Sequence, residues 1–169
     1  QVPTVGDRML KRTVDVIGVA LGLVLAGPLL SGCMLWIWLC DGGSPVYRQW
    51  RVGRDGRLFV LLKLRTMRRD AEQGGVRLAS RGDCRILPGC QWIRRSHVDE
   101  LPQLIHVLTG TMSLVGPRPE RPEVMEQLRA PLPGFVKRLS AQPGLTGLAQ
   151  IRNGYSNDVV VHHDRGSLV

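Results

Sequence analysis

The chain has 169 residues and a net charge of +9, enough for one domain with a real core and little more. Residues 41–95 hold thirteen Lys and Arg against five Asp and Glu, whereas residues 96–169 hold seven of each. Such a confined surplus suits an anionic partner (nucleic acid, anionic lipid or a phosphorylated small molecule) or is merely a solvated basic face. Cys33, Cys40, Cys84 and Cys90 make no CxxC pair and the adjacent His162 and His163 lack ligand spacing, which argues against a disulfide framework and a zinc cage.

The sequence starts at Gln1 rather than Met, as expected of a fragment or processed form. From Val16 to Leu39 it carries no charge, and about 18 or more consecutive apolar residues read as a membrane helix. A signal peptide would have a shorter apolar core and a small-residue cleavage site; here Trp36 and Trp38 lead into Asp41-Gly42-Gly43. Gly27-Pro28 falls at the midpoint, where proline removes one backbone bond and bends a helix. Each half then has about 12 residues, about 18 Å, short of a bilayer core. The flanks are basic on both sides, with Arg8, Lys11 and Arg12 before and Arg48, Arg51, Arg54 and Arg57 after. One span should show asymmetry, whereas a re-entrant hairpin should be positive at both ends. A kinked span and a re-entrant helix both remain open on these grounds.

Residues 44–67, "SPVYRQWRVGRDGRLFVLLKLRTM", predict a hairpin around Asp55-Gly56. Its second run delivers Lys63 and Arg65 to one face. Residues 68–90 read as an irregular polar loop. A helix is expected over Val98–Leu108, with Leu101, Leu104, Ile105 and Leu108 at helical spacing. Pro102 is tolerated if that helix starts near Asp99. Asp99 and Glu100 then sit at a helix N-terminus, a position that attracts anions. A lone Asp there is most often only an N-cap. Arg94, Arg95 and Arg118 argue for more, since guanidinium groups bind oxyanions bidentately. Residues 130–151 contain a short amphipathic pattern, Leu132, Phe135, Val136 and Leu139 beside Lys137 and Arg138, suited to a core or a membrane surface.

Four ordered stretches carry a family pattern: "KLRTM" (63–67), "RRSHVDELPQL" (94–104), "SLVGPRPERPE" (113–123) and "PGLTGLAQI" (143–151). From about Lys11 to Asp164 the chain resembles the bacterial sugar transferases, monotopic phosphoglycosyl transferases that start the assembly of exopolysaccharide, O-antigen or glycoprotein glycans. The resemblance implies a mixed α/β architecture. Residues 1–43 would carry a re-entrant membrane helix broken at Gly27-Pro28. Residues 44–169 would form a small helical catalytic domain on the cytoplasmic side of the bacterial inner membrane, with a β-hairpin and membrane-surface amphipathic helices. Members usually continue past the end of this chain, so that domain is expected to be shortened at its C-terminus.

The resemblance also implies the chemistry. Asp99 looks like the nucleophile toward the β-phosphate of a UDP-sugar, releasing UMP and leaving an aspartyl–phosphosugar that polyprenol (undecaprenyl) phosphate then takes. Asp99 and Glu100 would hold Mg²⁺. Lys63, Arg65, Arg94, Arg118 and Gln150 would bind substrate, and Pro117 and Pro119 would shape the nucleotide pocket. A carboxylate is a competent nucleophile toward phosphorus once cations neutralise the phosphoryl oxygens. The chain departs from the family at Gly27 (commonly Ser), His97 (commonly Ser or Thr), Thr111 (commonly acidic) and Leu148 (commonly Trp). Two other readings compete: an inactive membrane-anchored scaffold, opposed by the intact acid pair, and a nucleic-acid-binding module. The second leaves the uncharged segment unexplained and has few aromatics for stacking.

Overall fold

A computed structural model describes residues 5–71, 73 and 83–147. Helix α1, Val5–Asp41, contains 37 residues. Its apolar surface is largely open: Ile17, Leu21, Val24, Leu25, Leu35, Trp36, Trp38 and Leu39 are exposed, whereas Val19, Cys33 and Ile37 are buried. Met9–Asp41 is long and apolar enough to cross a membrane, and it is the one such helix among the described residues. Leaving so many large side chains in water is costly at about 25 cal/mol per Å², so the exposed apolar face suits lipid.

The expected break at Gly27-Pro28 does not divide the element, because α1 is helical on both sides of Pro28. A proline withdraws one N–H from the ladder and strains one turn, and the flanking residues keep their own bonds.

Packing divides the chain into two compact units. Gly22–Gln49 and Leu62–Gln103 make one, the acid-pair unit; residues up to Leu21, Trp50–Leu61 and Leu104 onward make the other, the proline-turn unit. Helix α1 contributes to both. The expected division at residue 43 separates membrane from water, a different criterion from packing.

Strands β1 (Val46–Val52) and β2 (Leu58–Leu64) pair as the expected hairpin. Asp55 (φ 56°) and Gly56 (φ 78°) are both left-handed, which Asp-Gly tolerates and a tight hairpin turn requires.

The core of the acid-pair unit is Cys33, Ile37, Leu64, Leu87, Cys90, Ile93 and Val98. Within 68–90, expected to be irregular, Ile86 forms an antiparallel bridge to Met67 just before that range. Helix α2, Gln91–Arg95, follows. Trp36 donates its indole N–H to the Pro88 carbonyl at 3.0 Å. Gly89 packs beside the same indole at a left-handed φ of 72°, where a Cβ would lie 3.0 Å from the Trp36 nitrogen. The helix expected over Val98–Leu108 is two elements: a 3-10 helix, Val98–Gln103, then α3, Leu104–Thr109. Pro102 cannot donate to an i−4 carbonyl, consistent with the tighter winding before Leu104.

In the proline-turn unit, strand β3 (Ser113–Val115) pairs in parallel with β4 (Gly144–Thr146), Ser113 opposite Gly144 and Val115 opposite Thr146. Two of the sequence stretches singled out above thus become neighbours. The start of α1 is fastened here. Buried Asp15 accepts from the Ser113 hydroxyl at 2.6 Å and the Leu114 N–H at 3.2 Å. Arg12 donates to the carbonyls of Val107 and Leu108 in the last turn of α3, the Val107 carbonyl also accepting the Gly110 N–H at 3.1 Å. Helix α4, Pro122–Arg129, begins on a proline, where the missing N–H costs nothing. The expected amphipathic helix is a 3-10 helix, Pro133–Ser140. Its Phe135, Val136 and Leu139 are half-buried.

Candidate active site

The acid pair stands where the chain changes direction. Helix α2 ends at Arg95, and His97 follows with a left-handed φ of 58°. The His97 carbonyl then accepts the Glu100 N–H at 3.0 Å. Val98 is pulled into the core, and Asp99 and Glu100 go in with it, only 8% and 9% exposed. The expectation that the pair opens an α-helix is corrected: it lies in the first turn of a six-residue 3-10 helix.

Three basic residues act on Asp99: Lys63 from β2, Arg94 from α2, and His97. They do not fully offset its surroundings. Burial foremost, and then the negative charge of Glu100, push the Asp99 carboxyl up to about 6. A carboxylate short of compensation is a better nucleophile than a saturated one, and perturbed carboxyls mark functional sites. Arg94 is aimed by a hydrogen bond to the Thr66 hydroxyl at 3.0 Å. The Lys63 ammonium lies 5.5 Å from the Tyr47 ring centroid, within cation–π range.

Arg65 was expected to share the Lys63 face in the strand. It follows the last residue of β2 and is buried, pairing with Asp41 and donating to the Ser44 carbonyl at 2.7 Å. Those bonds tie down the end of α1.

Pro117, Arg118 and Pro119 belong to the proline-turn unit. They line a shallow, open cleft together with Glu120, Arg138 and Pro143. Burial holds the Arg138 guanidinium below its ordinary value, opposed by Glu120. Just before the turn, Gly116 and β4 are in backbone contact: a Cβ on Gly144 would lie 2.0 Å from the Gly116 nitrogen, and one on Gly116 would lie 2.3 Å from the Gln142 carbonyl. Only glycine fits at either position. Gln150 lies outside the described residues.

Arg51, Glu120 and Arg138 were not singled out as site residues from sequence. Glu120 and Arg138 fall inside or beside quoted stretches, but nothing in their spacing says that their side chains meet. In the sequence Arg51 is only one of the charges that flank the apolar run.

Among the described residues, no group of three or more His, Cys, Asp or Glu is arranged to hold a metal. The two buried neighbouring carboxylates nonetheless fit Mg²⁺, a hard ion commonly held by one or two carboxylates plus substrate phosphates rather than by an all-protein cage.

A family model described as bacterial sugar transferase matches residues 6–166. The UDP-glucose:undecaprenyl-phosphate glucose-1-phosphate transferase of Caulobacter vibrioides is 43% identical over 150 residues, 89% of this chain and 56% of that protein. The enzyme of the same name in Escherichia coli is 39% identical over 152 residues, 90% of this chain and 32% of its own length. The UDP-N-acetylgalactosamine-undecaprenyl-phosphate N-acetylgalactosaminephosphotransferase of Aeromonas hydrophila is 35% identical over 160 residues, 92% of this chain and 38% of that protein. The chain therefore spans 32% to 56% of the length of these relatives, and 74% of a further relative from Bacillus subtilis.

Proposed function

Because the chain belongs to the bacterial sugar transferase family, we propose that it moves a sugar-1-phosphate from a UDP-sugar to polyprenol (undecaprenyl) phosphate. The observation that carries this reading is the buried Asp99–Glu100 pair with Lys63 and Arg94 acting on Asp99. In the first step an Asp99 carboxylate oxygen bonds to the β-phosphorus of the UDP-sugar. The bond from that phosphorus to the bridging oxygen breaks, and UMP leaves with the electron pair. In the second step a phosphate oxygen of the polyprenol phosphate bonds to the same phosphorus, and the Asp99 carboxylate is released.

Each residue has a physical task in this scheme. Burial keeps water from Asp99 and leaves its carboxylate poorly solvated. Lys63 and Arg94 offset the charge of the phosphoryl oxygens, and Arg118 engages the phosphates in a pocket shaped by Pro117 and Pro119. Asp99 and Glu100 would hold Mg²⁺, which supplies further neutralisation of phosphate charge.

The exposed apolar face of α1 supports membrane attachment. The basic residues on both flanks favour a re-entrant disposition on the cytoplasmic face of the inner membrane, in which neither end crosses. Because α1 stays helical through Pro28, that disposition requires it to bend there within lipid. A cysteine introduced before α1 and one introduced after it, each in a background without the native cysteines, should then label from the same side. Labelling from opposite sides would sink that disposition.

The chemistry is tested without acceptor lipid. Incubated with a panel of UDP-sugars and Mg²⁺, the chain should release at most about one UMP per site from the accepted donor and gain the mass of one phosphosugar. That mass should map to the peptide carrying Asp99 and be removed by hydroxylamine. UMP release that strictly requires polyprenol phosphate, with no adduct trapped, favours direct transfer instead.

A further inference from the structure

The Pro117–Glu120 turn is attached to its surroundings in an unusually complete way. Pro117 and Pro119 have fixed φ and no N–H to donate, so the turn is gripped through its carbonyls. The Pro117 carbonyl accepts the Gly144 N–H at 2.9 Å, and the Glu120 carbonyl accepts the Val52 N–H at 2.9 Å. Between them, the Arg118 carbonyl accepts from Arg138 Nη2 at 2.8 Å, and the Pro119 carbonyl accepts from Arg51 Nη1 at 3.1 Å. All four carbonyls are bound, two by backbone and two by guanidinium groups from different parts of the unit.

The same two arginines also face the turn's acidic residue. Arg51 lies 4.0 Å and Arg138 3.8 Å from the Glu120 carboxylate, with their side chains only 12% and 22% exposed. Arg138 is held further by Phe135, whose ring centroid is 4.4 Å away. A planar fork can serve a carbonyl and a carboxylate together, which a lysine ammonium does poorly. Glu120 partly neutralises the pair, so both guanidinium groups are engaged in holding the turn, Arg138 from the wall of the same cleft that Arg118 lines.

We propose that Arg138 and Arg51 are positioning residues for Arg118, bracing the Pro117–Glu120 turn so that the Arg118 guanidinium meets the diphosphate of a nucleoside diphosphate donor already oriented. This rests on the reading above that Arg118 engages the donor phosphates. The gain is preorganisation: the cost of fixing the turn is met during folding rather than on binding.

UDP itself is the probe, titrated calorimetrically into the full chain in detergent micelles with Mg²⁺ present. Arg118→Ala should weaken UDP binding by roughly tenfold or more, and Arg138→Met by a comparable factor. The double variant should bind no more weakly than Arg118→Ala alone, because a brace has nothing to act on once Arg118 is gone. Binding stoichiometry separates misfolded protein from weakened affinity. If Arg138→Met does not fold, Arg138→Lys carries the same test, since its smaller loss must also vanish in the Arg118→Ala background. Losses that add in the double variant, or an Arg138 variant that binds UDP like the parent, overturn the brace while leaving the role of Arg118 standing. An Arg118→Ala chain that binds UDP normally overturns both.

Discussion

The acid pair sits in a short 3-10 helix and the Pro117–Glu120 segment in irregular backbone, and the two are finished in opposite ways. At the turn every carbonyl from Pro117 to Glu120 is bound, two of them by arginines that also face Glu120. At the acid pair, burial and the neighbouring Glu100 outweigh Lys63, Arg94 and His97, leaving Asp99 with a raised proton affinity. A group that binds by shape and charge gains from a saturated, rigid mount. A group that must form and break a bond gains from being left short of compensation. On the proposed function, the proline turn answers the first need and the acid pair the second.

The largest expected effect breaks the comparison on the reactive side. Asp99→Asn is nearly isosteric but cannot form an acyl phosphate, so turnover should fall by at least about a thousandfold. Excess Mg²⁺ should not recover it, because the defect is covalent. Glu100→Gln should also be severely impaired, through weaker metal binding, and excess Mg²⁺ should restore part of that loss. Release of UMP from the two variants across a Mg²⁺ titration distinguishes them, and equal rescue of both would reduce Asp99 to a metal ligand.

The binding side should break through its scaffold. A Cβ at Gly144 would sit 2.5 Å from the Gly116 Cα as well as 2.0 Å from its nitrogen, and backbone has no rotamer with which to move aside. Gly144→Ala should therefore destabilise the fold by about 3 kcal/mol or more. Because Gly144 also holds the Pro117 carbonyl, UDP affinity should fall in whatever fraction stays folded. Urea midpoints and UDP titration check the two halves of that expectation, and a stable variant that binds UDP normally would mean that β3 and β4 can separate without disturbing the turn.

How much of this was legible in the sequence follows the same division. The hairpin around Asp55-Gly56 and the apolar length of α1 could be read directly, since a left-handed dipeptide turn and an uncharged run are local properties. The acid pair could be picked out because two adjacent carboxylates beside several arginines are chemically conspicuous. The winding around it could not, because the choice between 3-10 and α over Val98–Gln103 depends on Val98 entering the core and on the left-handed His97. The pairing of β3 with β4 joins residues some thirty positions apart, beyond any local period. Nothing in the spacing of Arg51, Glu120 and Arg138 says that they converge. Arg65 shows the reverse problem: strand alternation put it beside Lys63, but the strand stops at Leu64 and the side chain turns to Asp41 and Ser44.

The smallest effect sharpens the comparison, because it measures the shortfall at Asp99 directly. Its carboxyl is raised from 3.8 to about 6 in the folded chain, by burial first and by Glu100 second. A raised carboxyl favours the folded state while it is protonated: that contribution is fully present below about pH 4 and is lost as pH rises through about 6. At neutral pH the charged, buried Asp99 should thus cost roughly 3 kcal/mol relative to its protonated form. Asn at this position never ionises. In EDTA, Asp99→Asn should be more stable than the parent chain at pH 7.5, by an amount that shrinks toward zero as pH approaches 4. The difference in urea midpoint between the two chains, followed across that range, cancels every other titrating group that the substitution leaves alone. Adding Mg²⁺ at pH 7.5 should stabilise the parent chain and narrow the gap, since the ion supplies the charge the site lacks. A gap independent of pH would mean that Asp99 is compensated when folded, and the contrast with the saturated proline turn would fall with it.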